Sequence, residues 1–149
     1  MEEMKMMLVD DEERFLSTTQ KLLSKKGYDV ITASTGAEAL EKLRLNNIHV
    51  VILDVKMPGM DGIETLKAIK RTYPLVEVIM LTGHATVESA VDGLHSGATD
   101  YLMKPTDVKD LIRKAEDAFG KRQILEEKIR VAQTRSSMKS PREIIRDTE

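Results

Sequence analysis

The sequence predicts an α/β fold, a doubly wound five-stranded parallel sheet with helices on both faces, and three observations carry that prediction. Five short runs rich in Val, Ile, Leu and Met alternate with stretches whose apolar residues recur at helical spacing, the strand-then-helix rhythm of α/β domains. Two of the runs, Val50-Val51-Ile52-Leu53 and Val78-Ile79-Met80-Leu81, are apolar on consecutive residues, as strands covered on both faces must be. Right-handed crossovers then distribute the helices over the two faces of one sheet.

Taken in order, the first strand is read at Lys5 to Val9. The helix after it presents Phe15, Thr19, Leu22 and Leu23 on one face and ends at Lys25-Lys26-Gly27, where cations suit the C-terminal end of the dipole and glycine takes the left-handed cap. Val30 to Ala33 follows as strand, and Ser34-Thr35-Gly36 leads into a helix marked by Ala37, Leu40 and Leu43. After the third strand, Val50 to Leu53, a helix opens at Asp61 with Glu64 three residues on, close to a capping box. It carries Ile63, Leu66 and Ile69 before Pro74 forbids continuation. The fourth strand is Val76 to Leu81, and its helix, with Val87, Ala90, Val91 and Leu94, stops at Gly97.

The fifth strand is Tyr101 to Met103, and the last helix opens at Asp107 with Val108, Leu111, Ile112, Ala115 and Phe119. Leu111, Ala115, Ala118, Arg122, Leu125, Ile129 and Ala132 recur at alternating steps of four and three, a period of about 3.5 residues. The helix is therefore expected to run on past Gly120, although glycine there costs about 1 kcal/mol relative to alanine and invites a bend. Ser140-Pro141-Arg142-Glu143 restarts a helix signal near the end. The boundary is drawn at residue 120: a domain over 1–120, and a C-terminal helical extension with a polar tail over 121–149.

Composition narrows the function. With 149 residues and 32% charged side chains, one soluble core is expected, and no apolar run approaches the roughly 18 residues of a spanning helix. The absence of Cys excludes disulfides, thiolate nucleophiles and zinc–thiolate sites. Residues 1–120 hold 15 basic and 20 acidic side chains, whereas residues 121–149 hold 8 and 5. An acidic domain disfavours direct nucleic-acid binding and suits a cation. The acidic start lacks the features of a secretory signal, so a cytoplasmic location is expected. The nine Met read as core filler.

In an open doubly wound sheet, ligands bind beyond the carboxyl ends of the strands. Asp10 and Asp11, followed by Glu12, end the first strand; Asp54 ends the third, Thr82-Gly83 the fourth and Lys104-Pro105 the fifth. Crowded carboxylates repel unless a cation neutralises them, and an oxygen-only ligand set selects a hard ion such as Mg²⁺ (or Mn²⁺). An Asp, a Lys and Mg²⁺ together suit phosphoryl transfer, with Asp54 as the nucleophile.

At these residues the chain resembles the receiver domains of bacterial two-component response regulators. The resemblance is carried by Asp10-Asp11, by Leu53-Asp54-Val55-Lys56-Met57-Pro58-Gly59-Met60-Asp61-Gly62, by Leu81-Thr82-Gly83-His84 and by Gly97 through Pro105, over about residues 4 to 120. It implies a flavodoxin-like strand order of 2-1-3-4-5. It further implies that Asp54 is the phosphoacceptor, served by a sensor histidine kinase or a histidine phosphotransfer protein. By the same resemblance Asp11 and Asp54 would hold the metal directly with the backbone carbonyl of Lys56, and Asp10 would act through water. Lys104 would pair with Asp54 or the phosphoryl oxygens, the Lys104–Pro105 peptide would be cis, and Thr82 and Tyr101 would form the switch. Such a receiver is not an enzyme toward any external substrate; it catalyses only its own phosphorylation and dephosphorylation.

A bulky side chain at Gly83 is expected to crowd a phosphoryl group. Lys56 and His84, two residues beyond Asp54 and Thr82, are positions that tune phosphoryl lifetime in this family. His49, His84 and His95 share no metal-ligand spacing and read as surface or loop residues. A haloacid-dehalogenase-like phosphatase also uses a strand-end Asp with Mg²⁺ and Lys, but that family places a second Asp where this chain has Lys56. A flavin or nucleotide binder would need a glycine-rich loop after the first strand, and none is there. Gly83 to Val87 and the charged extension are similar to receivers attached to ATPase-type transcriptional activators, so the chain is either complete near Glu149 or an excised receiver fragment. The apolar stripe beyond residue 120 calls for a second copy, a homodimer through the fifth helix and its extension with Arg122 at a seam position.

Overall fold

The computed structural model describes residues 3–55, 62–83 and 87–138. Strands β1 (Lys5–Val9), β2 (Asp29–Ala33), β3 (Val50–Asp54), β4 (Glu77–Thr82) and β5 (Asp100–Met103) alternate with helices α1 (Glu13–Lys25), α2 (Gly36–Leu45), α3 (Gly62–Thr72), α4 (Val87–His95) and α5 (Val108–Met138). All pairings are parallel, in the order β2-β1-β3-β4-β5, so the doubly wound fold and its strand order stand.

Consecutive apolar residues in the central strands divide between two cores. Met7, Val9, Val51, Leu53, Val78 and Met80 pack with Ala39 and Leu43 of α2 and Leu66 and Ile69 of α3. Their neighbours Met6, Leu8, Val50, Ile52, Ile79 and Leu81 pack with Leu16 and Leu23 of α1 and Leu111, Ala115 and Ala118 of α5. The period-two pleat thus sends alternate side chains to opposite helical layers. Met4, Met6, Met7 and Met80 are buried filler, whereas Met103 is exposed.

Local signals set the helix ends. Thr35 Oγ1 accepts the Glu38 N–H at 3.0 Å, and the Glu38 carboxylate reaches back to the Ser34 N–H at 3.1 Å, the reciprocal logic of a capping box. Gly27 (φ 91°) and Gly97 (φ 110°) take the left-handed turn after α1 and α4 that L side chains resist.

Several expectations are corrected. In α2 the buried face is Gly36, Ala39 and Leu43, with Ala37 exposed; the cap at Thr35 fixes the helix phase, and Ala39 points at the sheet. In α1, Leu16 joins Thr19 and Leu23 inside while Leu22 stays 42% exposed. Strand β4 is offset by one residue from its expected bounds. His49 is buried, because its Nδ1 accepts the Lys5 N–H at 2.9 Å and its ring lies 5.0 Å from that of Phe119. The expected start of the third helix at Asp61, and the Ser140 helix signal, lie outside the described residues.

Helix α5 passes Gly120 without a break. Leu111, Ala115, Ala118 and Arg122 are buried, while Leu125, Ile129 and Ala132 further along the stripe are exposed. Arg122 does not sit at an exposed seam: its Nη1 donates to the Ile48 carbonyl at 2.9 Å and its Nε to Glu126 at 2.7 Å. The guanidinium turns inward because the carbonyl entering β3 offers it a buried acceptor.

Candidate phosphoryl-transfer site

Ladder hydrogen bonds pin the carboxyl ends of the strands. The Asp10 N–H donates to the Ala33 carbonyl (3.1 Å), Val55 N–H to Leu81 (3.0 Å), and Lys104 N–H to Thr82 (2.8 Å). Asp10, Asp54, Thr82 and Lys104 are therefore fixed on one edge by the sheet itself. Asp10, Asp54 and Thr82 are buried, whereas Asp11 is exposed. Carboxylate oxygens of Asp10, Asp11 and Asp54 lie within 4.8 Å of one another, which brings together three of the predicted metal ligands. Lys56, the fourth, lies outside the described residues, as does His84.

Three close carboxylates need positive charge. Asp10 Oδ1 accepts the Glu12 N–H at 2.9 Å, and its buried Oδ2 faces the Lys104 ammonium at 2.6 Å. An oxygen-only donor set of three carboxylates within 4.8 Å, served by a single ammonium among the described residues, fits a hard divalent cation such as Mg²⁺.

Lys104 has partners beyond the expected Asp54, whose charge also acts on it. It pairs with Asp10 and, at 3.2 Å, with Glu12 Oε1, and its ammonium stands 4.7 Å from the Phe15 ring centroid. The physical reason is Asp10, whose fully buried charge attracts the ammonium most strongly. Burial works to lower the lysine pKa, but Asp10, then Glu12 and Asp54, outweigh it and leave Lys104 above the usual lysine value. The Lys104–Pro105 peptide is cis. Tyr101 is 37% exposed, with Lys114 Nζ 5.9 Å from its ring. A Cβ at Gly83 would meet open space, so no crowding by the protein itself demands glycine there.

Sequence reasoning missed Glu12 and Phe15 as partners of Lys104. One signal was available: Glu12 stands at the N-cap of α1, where short side chains that cap a helix are usual. Beside the site, Glu12, Phe15, Thr18, Leu22, Lys104 and Pro105 line part of a 570 Å³ groove between α1 and the loop entering α5.

The family model described as "Response regulator receiver domain" matches residues 6–116. Among curated proteins, the transcriptional regulatory protein ZraR of Escherichia coli O157:H7 is 40% identical over 120 residues, 80% of this chain and 27% of its own length. The DNA-binding transcriptional regulator NtrC of Escherichia coli K12 is 36% identical over 113 residues, 76% of this chain and 24% of its own. The chain thus spans about a quarter of the length of these relatives. Among solved structures, a CheY-like receiver domain protein from Methanospirillum hungatei JF-1 aligns at TM-score 0.77 and 32% identity, covering 82% of this chain and 98% of that one. NtrX from Brucella abortus aligns at 0.81 and 30%, covering 87% and 30%.

Proposed function

Because this chain belongs to the response regulator receiver domain family, a signalling family of two-component systems, we propose that it accepts a phosphoryl group on Asp54 from a histidine kinase or histidine phosphotransfer protein and switches its signalling face in response. The observation that carries the reading is Asp54 itself, buried at the end of a central strand and grouped with Asp10 and Asp11. A carboxylate oxygen of Asp54 attacks the phosphorus of the donor phosphohistidine. The P–O bond forms as the P–N bond breaks, and the leaving imidazole nitrogen keeps the electron pair and takes up a proton.

In this reading Asp11, Asp54 and the Lys56 carbonyl hold Mg²⁺ (or Mn²⁺), with Asp10 acting through water. The ion, when bound, supplies neutralisation of the carboxylates and phosphoryl oxygens. Asp54 serves as nucleophile, Lys104 moves from Asp10 to the new phosphoryl oxygens, and Thr82 turns its hydroxyl to them. Tyr101 moves inward from its exposed position. The added charge of about −1.5 to −2 and three acceptor oxygens bias this two-state element. The chain acts on no external substrate, and the groove beside Lys104 gives a phosphodonor protein room to approach.

The reading divides the chain into a receiver over 1–120 and an extension over 121–149. The exposed stripe of Leu125, Ile129 and Ala132 is covered by a second copy, with the seam beginning beyond Arg122. Sedimentation of the full chain against one ending at Lys121 tests this, and monomers for both at micromolar concentration refute it. A second reading, a receiver within a longer transcriptional regulator, is supported by ZraR and NtrC, of whose length this chain matches 27% and 24%.

Phosphate-affinity gels of wild type and Asp54→Asn, with acetyl phosphate and Mg²⁺, test the central claim. A shifted band only in wild type is expected, and undiminished incorporation in the mutant overturns the assignment. Titrating Mg²⁺ into Asp11→Ala and Asp10→Ala tests the ligand set, with the larger loss expected for Asp11→Ala and equal affinities in all three proteins refuting it.

A further inference from the structure

Glu12 is an anomaly of local structure. It occupies the N-cap of α1 with extended backbone angles (φ −85°, ψ 100°), yet its side chain makes no capping hydrogen bond. Ser, Thr, Asp or Asn would satisfy an orphan N–H of the first turn there, and Glu12 leaves that work undone. Its carboxylate instead lies 3.2 Å from Lys104 Nζ, on the far side of the sheet order from β1. Its own N–H holds Asp10 Oδ1, so one residue orients the buried carboxylate with its backbone and meets that carboxylate's cation with its side chain. Phe15, the first aromatic of α1, stands under the same ammonium at 4.7 Å, a distance at which a ring face attracts a cation. Asp10, Glu12 and Phe15 therefore hold the Lys104 ammonium from one short stretch of chain, and Asp54 adds to them through its charge.

We propose that Glu12, assisted by Phe15, is a positioning residue that holds the Lys104 ammonium on the β1–α1 side of the site in the unphosphorylated protein. This deepens the receiver reading and rests on it. A phosphoryl group on Asp54 competes with Glu12 for the same ammonium, so Glu12 raises the threshold for the switched state. Exposed ion pairs are weak, and Glu12 is 65% exposed. Removing its charge is therefore expected to shift the balance by only about two- to fivefold.

Two measurements test this, and the first needs no phosphorylation. In the NMR spectrum of the unphosphorylated protein, the Lys104 ε-methylene signal, assigned by its loss in Lys104→Met, should be displaced by the Phe15 ring. It should move toward the free-lysine position in Glu12→Gln and in Phe15→Leu. An unchanged signal in both variants overturns the proposed contact. In the second, the steady-state phosphorylated fraction with acetyl phosphate and Mg²⁺ should rise about two- to fivefold at subsaturating donor in Glu12→Gln. That gain should vanish when Glu12→Gln is combined with Lys104→Met. An equal gain in the Lys104→Met background shows that Glu12 acts through the field on the cation site, which refutes the proposal. If no protein is phosphorylated on Asp54, the receiver reading fails, whereas the NMR result still decides whether Glu12 holds Lys104.

Discussion

The two edges of the sheet each bury charge, and they treat it in opposite ways. At the edge where strands begin, Arg122 is 8% exposed and engages both the Ile48 carbonyl and Glu126. At the edge where strands end, Asp10, Asp11 and Asp54 crowd within 4.8 Å, and the Lys104 ammonium beside Asp10 is shared with Glu12. A charge satisfied inside its own chain is structure; three carboxylates facing one ammonium keep a repulsion that a bound cation would relieve. Removing a charge should therefore have opposite signs at the two edges.

The largest expected effect is at the satisfied edge. Arg122→Met removes the donor to a buried carbonyl and the partner of Glu126. Glu126 is 34% exposed and can turn to water, so the loss is about 1–3 kcal/mol, the cost of an unsatisfied buried group, rather than that of a stranded buried ion. Urea unfolding of both proteins measures it, and no loss would mean that Arg122 contributes nothing as a tether of the extension. At the other edge, Asp54→Asn should stabilise the protein by about 1 kcal/mol without divalent cation, because it relieves carboxylate repulsion. Added Mg²⁺ should narrow that gap by stabilising wild type more. A destabilised Asp54→Asn would show that the cluster is already compensated and that the contrast between the edges is false.

How far this contrast could be read beforehand depends on range. The sheet was legible because the consecutive apolar residues of β3 and β4 demand two helical layers, and the converging site was legible because strand ends in such a sheet share an edge. Partner choice was not. Lys104 lies 94 positions from Asp10 in the chain, and nothing in residue type says that its ammonium pairs with Asp10 and Glu12; the packing of α1 beside β5 decides. Arg122 carried the same ambiguity, since an arginine on an apolar stripe can face a second helix or its own domain. The carbonyl of Ile48, invisible to any side-chain pattern, settles it. His49 sits in a loop as expected, but its burial was not legible for a like reason, its acceptor role depending on the backbone N–H of Lys5.

Helix α5 joins the two edges, and Gly120 lies just before Arg122. A Cβ there would meet open space, and its φ is not positive. Gly120→Ala should stabilise by up to about 1 kcal/mol, through helix propensity alone. The gain should be independent of Mg²⁺, unlike that of Asp54→Asn, and the same denaturation series shows whether it is.

The smallest effect is expected from Glu38, an acidic group on the site edge that, unlike Asp10, has all its needs met locally. It bonds the Ser34 N–H and hydroxyl and pairs with Lys42 at 3.0 Å. The Ser34 N–H first, then Lys42, hold its carboxyl below the usual glutamate value against the opposing effect of burial. A depressed folded pKa means that its contribution is present above the unfolded value, about 4.3, and fades as pH falls through the lower folded value. Both partners are more than a third exposed, so solvent screens the pair. Glu38→Gln should therefore cost less than about 1 kcal/mol at pH 7. Stability measured in urea at pH 7 and again near pH 3 should show the gap between wild type and Glu38→Gln closing in acid. A gap that persists would mean that the shape of the side chain, and not its charge, caps α2, and Glu38 would then no longer serve as the solitary counterpart to the crowded carboxylates of Asp10, Asp11 and Asp54.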